Sequence, residues 1–313
     1  MPGKLLNANE VQSFLDAHFG EEVSAVTLLG EGDWSKAFAF QRDDSDFVVR
    51  FGAYGEDFEK DRHAVTFAGP YLPIPLVTEI GRAFDGAFAI SERRHGLFLE
   101  QIDLSSFQHL TPNLLRLFDA LREVPVNQEA SADWPAKASH HLTWREWLAT
   151  SVEDDDNPRV GGWRGELAKD ADIESLYVRG VRSLNDRLVD CPNALHVVHG
   201  DLLNKNVLVS FDAKRVEAVF DWGCFVFGDF LYDVAWFTFW APWFPALEAL
   251  NFRDVFRAHA KEIGLDVPSF DDRLTCYEVQ IGLNHLAYNT VMKDPVERAR
   301  VAKRTEAVLT RQL

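Results

Sequence analysis

The sequence predicts an α+β chain of two lobes: a small N-terminal antiparallel β lobe, then a larger, mainly helical C-terminal lobe. Three observations carry this. Short β-branched and aromatic runs separated by turns fill the first ninety residues, a polar stretch interrupts them at Ser91–Gly96, and apolar residues recur beyond it at helical spacing. The expected boundaries are 1–90 for the β lobe, 91–96 for the connecting hinge, and 97–313 for the helical lobe. A length of 313 residues supports two compact units or one large bilobal one.

The N-terminal elements follow from local pattern. Val11, Phe14, Leu15 and His18 repeat at helical spacing after a cap expected at Asn9. Val26–Leu29 and Ala37–Phe40 read as strands around the glycine-containing turn Gly30-Glu31-Gly32-Asp33-Trp34-Ser35. Asp46–Phe51 is a third strand, and Glu56–Ala68 is a polar helix stopped by the prolines Pro70, Pro73 and Pro75. Strands at Leu76–Ile80 and Ala87–Ile90 flank the Asp85-Gly86 turn. In the C-terminal lobe the spacing predicts helices over 111–122, 143–151, 173–189, 229–243, 252–263, 270–292 and 296–312.

Composition excludes several classes. With 47% hydrophobic and 26% charged residues the chain is an ordinary globular one. Its formal charge of −17 argues against a general nucleic-acid surface, which needs clustered Lys and Arg. Cys191, Cys224 and Cys276 are too few and too scattered for a disulfide framework or a CxxC metal site. The first seven residues lack the apolar region of a signal peptide, and Asp229 and Asp233 interrupt the most apolar stretch, 225–244. A soluble, cytoplasmic protein is expected, with no membrane or nucleic-acid partner and a monomer as the default.

The chemistry concentrates in two segments. An apolar run leads into His199-Gly200-Asp201, Asn206 follows five residues later, and a second apolar run begins at once. Farther on, Ala218-Val219-Phe220-Asp221-Trp222-Gly223 places an aspartate at the end of a β-like run. Phosphoryl transfer needs a carboxylate that orients or deprotonates the accepting hydroxyl, a role open to Asp201. It also needs oxygen ligands for the Mg²⁺ that bridges the phosphates, and Asn206 and Asp221 are hard ligands of that kind.

This H-G-D-x₄-N…D-x-G pattern resembles that of the aminoglycoside phosphotransferases, a family of protein-kinase-like fold. The resemblance is closest to the members that act on hygromycin B. It extends through Lys60-Asp61-Arg62, Leu72-Pro73-Ile74-Pro75, Ile90–Arg94 with Gly96, Gly228-Asp229, Phe239–Trp243 and Ile281–Leu283, from about residue 10 to 300. It implies an ATP- and Mg²⁺-dependent kinase that phosphorylates a hydroxyl of a small cationic acceptor. Asp201 would be catalytic, and Asn206 and Asp221 would hold metal. Gly30, Gly32 and Ser35 would cover the nucleotide phosphates, with Glu31 and Asp33 turned away. Ser91, Glu92 and Arg94 would line the purine through their backbones.

His199 reads as a support for the catalytic loop, and Lys205 either approaches a phosphate or faces solvent. Where the kinase pattern has a phosphate-binding lysine on the third strand, this sequence has Arg50, which keeps the charge and can fork onto phosphate oxygens. Its acidic partner is Glu59 or Asp61. Asp229 is expected to cap a helix and to add negative charge to the acceptor site. Trp240 or Trp243, with Asn284, His285 and Asn289, are further acceptor-site candidates, against the plainer reading of Trp240 as part of an aromatic core stripe. The acidic run 153–156 is a solvated loop or an attractor of polycations. A metabolite kinase acting on an amino-alcohol or sugar, or a silent nucleotide-binding module, would share much of this pattern.

Overall fold

A computed structural model describes residues 6–126 and 143–311. The start of the N-terminal stretch read as leaderless (1–5) and the expected helix end at Gln312 lie outside the described residues. The described residues divide into two compact units, those within 1–102, 112–120 and 204–225 forming the first and those within 103–111, 121–203 and 226–313 the second.

In the first unit, helix α1 (Ala8–Phe19) starts at Asn7 rather than Asn9. The Asn7 side chain accepts from the N–H groups of Asn9 and Glu10, and Glu10 returns a bond to the Asn7 N–H. Strands β1 (Ser24–Glu31), β2 (Ser35–Arg42) and β3 (Ser45–Gly52) follow, then helix α2 (Gly55–Ala64), β4 (Val77–Ala83) and β5 (Gly86–Glu92). They form one antiparallel sheet in the order β1-β2-β3-β5-β4. One sheet face is sealed by α1, whose Val11 and Leu15 join Phe38, Phe40, Val49, Phe51, Phe88 and Ile90 in a buried core. A second, three-stranded sheet in this unit orders β6 (Leu97–Phe98), β8 (Val207–Val209) and β9 (Val216–Val219).

Among the described residues the second unit is helical apart from one strand pair, β7 (His196–Val198) against β10 (Val226–Gly228). Helix α3 (Leu104–Glu123) carries Pro112 inside it and contributes to both units. Then come α4 (Trp144–Thr150), α5 (Arg164–Leu167), α6 (Ala171–Arg187), α7 (Leu231–Trp240), α8 (Pro245–Leu250), α9 (Phe252–Glu262), α10 (Phe270–Val291) and α11 (Pro295–Leu309). Helices α7 and α10 are buried almost all round, so they form the core of this unit, packed by α6 and α11. The aromatic stripe expected on α7 is therefore no stripe: every one of its ten residues is buried. Among the described residues no helix is long and apolar enough to cross a membrane.

Candidate active site

Within the first unit, the antiparallel hairpin β8–β9 pairs Val207 with Val219. It therefore sets Asn206 at one end beside Phe220-Asp221 at the other, and the Asn206 carbonyl accepts the Phe220 N–H at 3.1 Å. Asn206 is buried, whereas the Asp221 side chain is 46% exposed. Asp221 adopts a left-handed conformation (φ 64°), uncommon away from glycine and a feature of constrained sites.

Arg50, in the middle of β3, reaches this aspartate: its Nη1 lies 3.4 Å from Asp221 Oδ1. Its other terminal nitrogen, Nη2, is ion-paired with Asp61 on α2. Asp61 settles the choice of partner, because Glu59 pairs instead with Arg62 on the surface. The second oxygen of Asp61 accepts the Trp222 N–H at 2.7 Å. One buried carboxylate thus ties the strand cation to the residue after Asp221. Lys60 adds a further tie, donating to the Gly223 carbonyl at 2.7 Å.

The nucleotide-loop candidates sit at the β1–β2 turn. Gly30 and Glu31 pair with Ala37 and Lys36, the Gly32 N–H donates to the Ser35 carbonyl at 2.9 Å, and Ser35 opens β2. Glu31 is engaged by Lys36 at 3.2 Å. Ser91 and Glu92 end β5, with Arg94 just beyond. The Glu92 N–H already donates to the Leu76 carbonyl at 3.0 Å, so the expected purine contact through that donor is corrected. The Arg94 guanidinium bonds the Glu92 carboxylate at 2.8 Å.

The second unit holds the His199-Gly200-Asp201 turn at the end of β7. Gly200 has φ 76°, open to glycine at no steric cost. The N–H groups of His199 and Gly200 donate to the two oxygens of Asp233, at 2.9 and 2.8 Å, and the Asp201 N–H donates to His199 Nδ1 at 3.2 Å. His199 is fully buried and Asp201 half-buried. His199 thus supports the turn, and Asp233 on α7 fixes it. Burial pushes the Asp233 carboxyl up to about 7 against the pull of its two N–H donors.

The acceptor-site candidates separate. Asp229 is fully buried; Arg273 grips both its oxygens at 2.8–3.0 Å, and the Tyr277 hydroxyl donates to it at 2.5 Å. Its charge is consumed inside the core, so its expected role in the acceptor site is corrected. It does accept the Leu231 N–H at the start of α7, at 3.3 Å. Trp240 and His285 do come together, ring centroids 4.7 Å apart, with Trp236 5.3 Å from His285. The indole N–H groups of Trp236 and Trp240 are buried with no acceptor among the described residues. His285 Nδ1 meets the Ile281 carbonyl at 2.9 Å, and burial lowers its pKa to about 4, leaving a neutral ring. Asn284 is half-buried beside it, Asn289 donates to the His285 carbonyl, and Trp243 is held by Glu297. In the acidic run, Asp154 accepts the N–H groups of Gly162, Trp163 and Arg164, so this carboxylate closes a turn.

Sequence reading missed Asp233 as the anchor of the turn, although its spacing in Gly228-Asp229-x₃-Asp233 marked it. It also missed Arg273, Tyr277 and Glu100. The Glu100 carboxylate accepts the Lys205 N–H at 2.8 Å, and desolvation raises its pKa.

An antiparallel five-stranded sheet, a helical unit and this set of anchored carboxylates define a kinase-like phosphotransferase. The chain belongs to the phosphotransferase enzyme family, whose pattern it matches over residues 26–264. It is 30% identical over 290 residues to a hygromycin-B 4-O-kinase of Escherichia coli, covering 91% of this chain and 80% of that one. Among solved structures it is similar to a thermostable mutant of aminoglycoside phosphotransferase APH(4)-Ia in a ternary complex with AMP-PNP and hygromycin B. That match has a TM-score of 0.80 and 28% identity, over 96% of this chain and 97% of the other. A spectinomycin phosphotransferase, APH(9)-Ia, shares the fold at a TM-score of 0.65 and 12% identity, over 98% and 97% of the two chains.

Proposed function

We propose that this enzyme transfers the γ-phosphoryl group of ATP, with Mg²⁺, to a hydroxyl of an aminoglycoside, hygromycin B being the first acceptor to test, and so confers antibiotic resistance from the cytoplasm. The observation that carries the reading is the β8–β9 hairpin, which sets Asn206 beside Phe220-Asp221, with the Arg50 cation against the Asp221 carboxylate. The named relatives supply the substrate class.

The residues fit a magnesium ion. Asn206 and Asp221 offer hard oxygen donors, and two protein ligands suit an ion that otherwise keeps waters and phosphate oxygens. When bound, the ion would offset charge on the bridging phosphates. Asp201 orients the acceptor hydroxyl and takes its proton, with the turn that bears it fixed by Asp233. Arg50, steadied by Asp61, holds the non-transferred phosphates. Nucleotide binding is assigned to residues 1–90 with Gly30, Gly32 and Ser35, and the purine contact to Ser91, Arg94 and the rest of the 91–96 connector. The acceptor is assigned to 97–313, with Trp240, Asn284 and His285 as its wall, since the Trp240 and His285 rings meet at 4.7 Å.

A thermal-shift panel of aminoglycosides, amino-alcohols and sugars, run with AMP-PNP and Mg²⁺, tests the reading. Stabilisation by hygromycin B that requires the nucleotide supports it. A response confined to neutral sugars transfers the same machinery to metabolite phosphorylation.

A further inference from the structure

Asn204 and Lys205, the two residues before Asn206, are both in the left-handed conformation, with φ of 61° and 69°. Asparagine tolerates this region, but a lysine does so at a cost, so the turn at Lys205 is strained and persists only where its surroundings hold it. The tie comes from Glu100 in the first unit, in the 3-10 turn Leu99–Gln101 that continues β6. Its Oε1 accepts the Lys205 N–H at 2.8 Å, while its Oε2 is buried with no partner among the described residues.

The placement of Glu100 is built in from both sides. Leu97 and Phe98 pair with Val209 and Leu208, so β6 lies along the strand that follows Asn206. Gly96 lets it lie there, since a Cβ at that position would stand 2.3 Å from the Val209 carbonyl oxygen. The Gln101 side chain accepts the Phe98 N–H at 3.1 Å and closes the 3-10 turn. Glu100 is half-buried, and a carboxylate oxygen shut away without a hydrogen-bond partner is costly as a fold element alone. Its return is the fixed geometry of the turn.

We infer that Glu100 is a positioning residue for the phosphotransfer reaction, holding the left-handed Asn204–Lys205 turn so that Asn206 is presented to the metal. The inference rests on the metal role proposed for Asn206. It assigns to Glu100 the length and acceptor oxygen of its side chain, not its charge.

Two full-length variants separate these. E100Q keeps the length and one acceptor oxygen, whereas E100D keeps the charge on a stem one methylene shorter. Exchange of the Lys205 amide with deuterium, followed by NMR, reads the anchor directly, and Mn²⁺ affinity in the presence of AMP-PNP reads its consequence. E100D should speed that exchange and weaken Mn²⁺ binding by about tenfold or more, the loss expected for one such bond. It should lower kcat with little change in the nucleotide KM. E100Q should stay within about threefold of the parent in all three. The inference is overturned if E100D matches the parent in exchange and Mn²⁺ binding, or if E100Q is as impaired as E100D. A parent that binds no Mn²⁺ with nucleotide would remove the proposed function, and the amide exchange would still decide the role of Glu100.

Discussion

Asp61 and Asp233 are single carboxylates that each hold two groups at once: Asp61 a guanidinium and a backbone N–H, Asp233 two backbone N–H groups. Asp61 joins Arg50 to the Trp222 N–H, so its loss frees both the Arg50 guanidinium and the residue beside Asp221. Asp61→Asn should lower kcat/KM by at least about tenfold, through the loss of one charge-assisted bond. Glu59→Gln should leave steady-state kinetics unchanged, since Glu59 is in a surface pair with Arg62. Asp233 gives a pH signature. Its folded pKa, about 7, lies above the unfolded value, so the native state binds the extra proton between about pH 4 and 7. Its contribution to stability is fully present below pH 4 and is lost as pH rises through 7. Urea unfolding across this range should show the parent's advantage over Asp233→Asn shrinking with rising pH. A constant gap would mean that Asp233 titrates normally.

At the scale of elements, the sequence shows what is local and hides what is paired across long separations. The strands, the α10 span and the His199-Gly200-Asp201, Asn206 and Asp221 set are legible, because each depends on spacing within a short window. The Arg50 partner was half legible. Phe58, Asp61 and Ala64 recur every three residues and are the buried face of α2, while Glu59 lies off it. That stripe would have selected Asp61. The burial of Asp229 was not legible, since its partner Arg273 is 44 residues away on α10. This pair also yields a stability prediction. Arg273→Met leaves a buried carboxylate uncompensated and should cost about 3–5 kcal/mol. The double variant Arg273→Met/Asp229→Asn should recover part of that loss in the same denaturation assay. A single variant within about 1 kcal/mol of the parent would show the pair to be dispensable.

For the whole molecule, the charge of −17 favours a cationic acceptor and leaves the docking site to local chemistry. With Asp229 neutralised inside the core, Asp201 is the remaining carboxylate of those expected to face the acceptor, so attraction should be modest and screened by salt. The acceptor KM should rise between low and moderate ionic strength in steady-state assays, with kcat and the ATP KM changing less. A KM indifferent to salt would point to a neutral acceptor.

The central claim, phosphoryl transfer to an aminoglycoside hydroxyl by Asp201, is tested most directly by incubating the purified enzyme with MgATP and hygromycin B. Mass spectrometry then detects the phosphorylated antibiotic, and phosphorus NMR identifies the ester. One phosphoryl group per molecule is expected, formed by the parent and reduced by orders of magnitude in Asp201→Asn. Unmodified hygromycin B and other aminoglycosides after prolonged incubation, or full product formation by Asp201→Asn, would contradict the account.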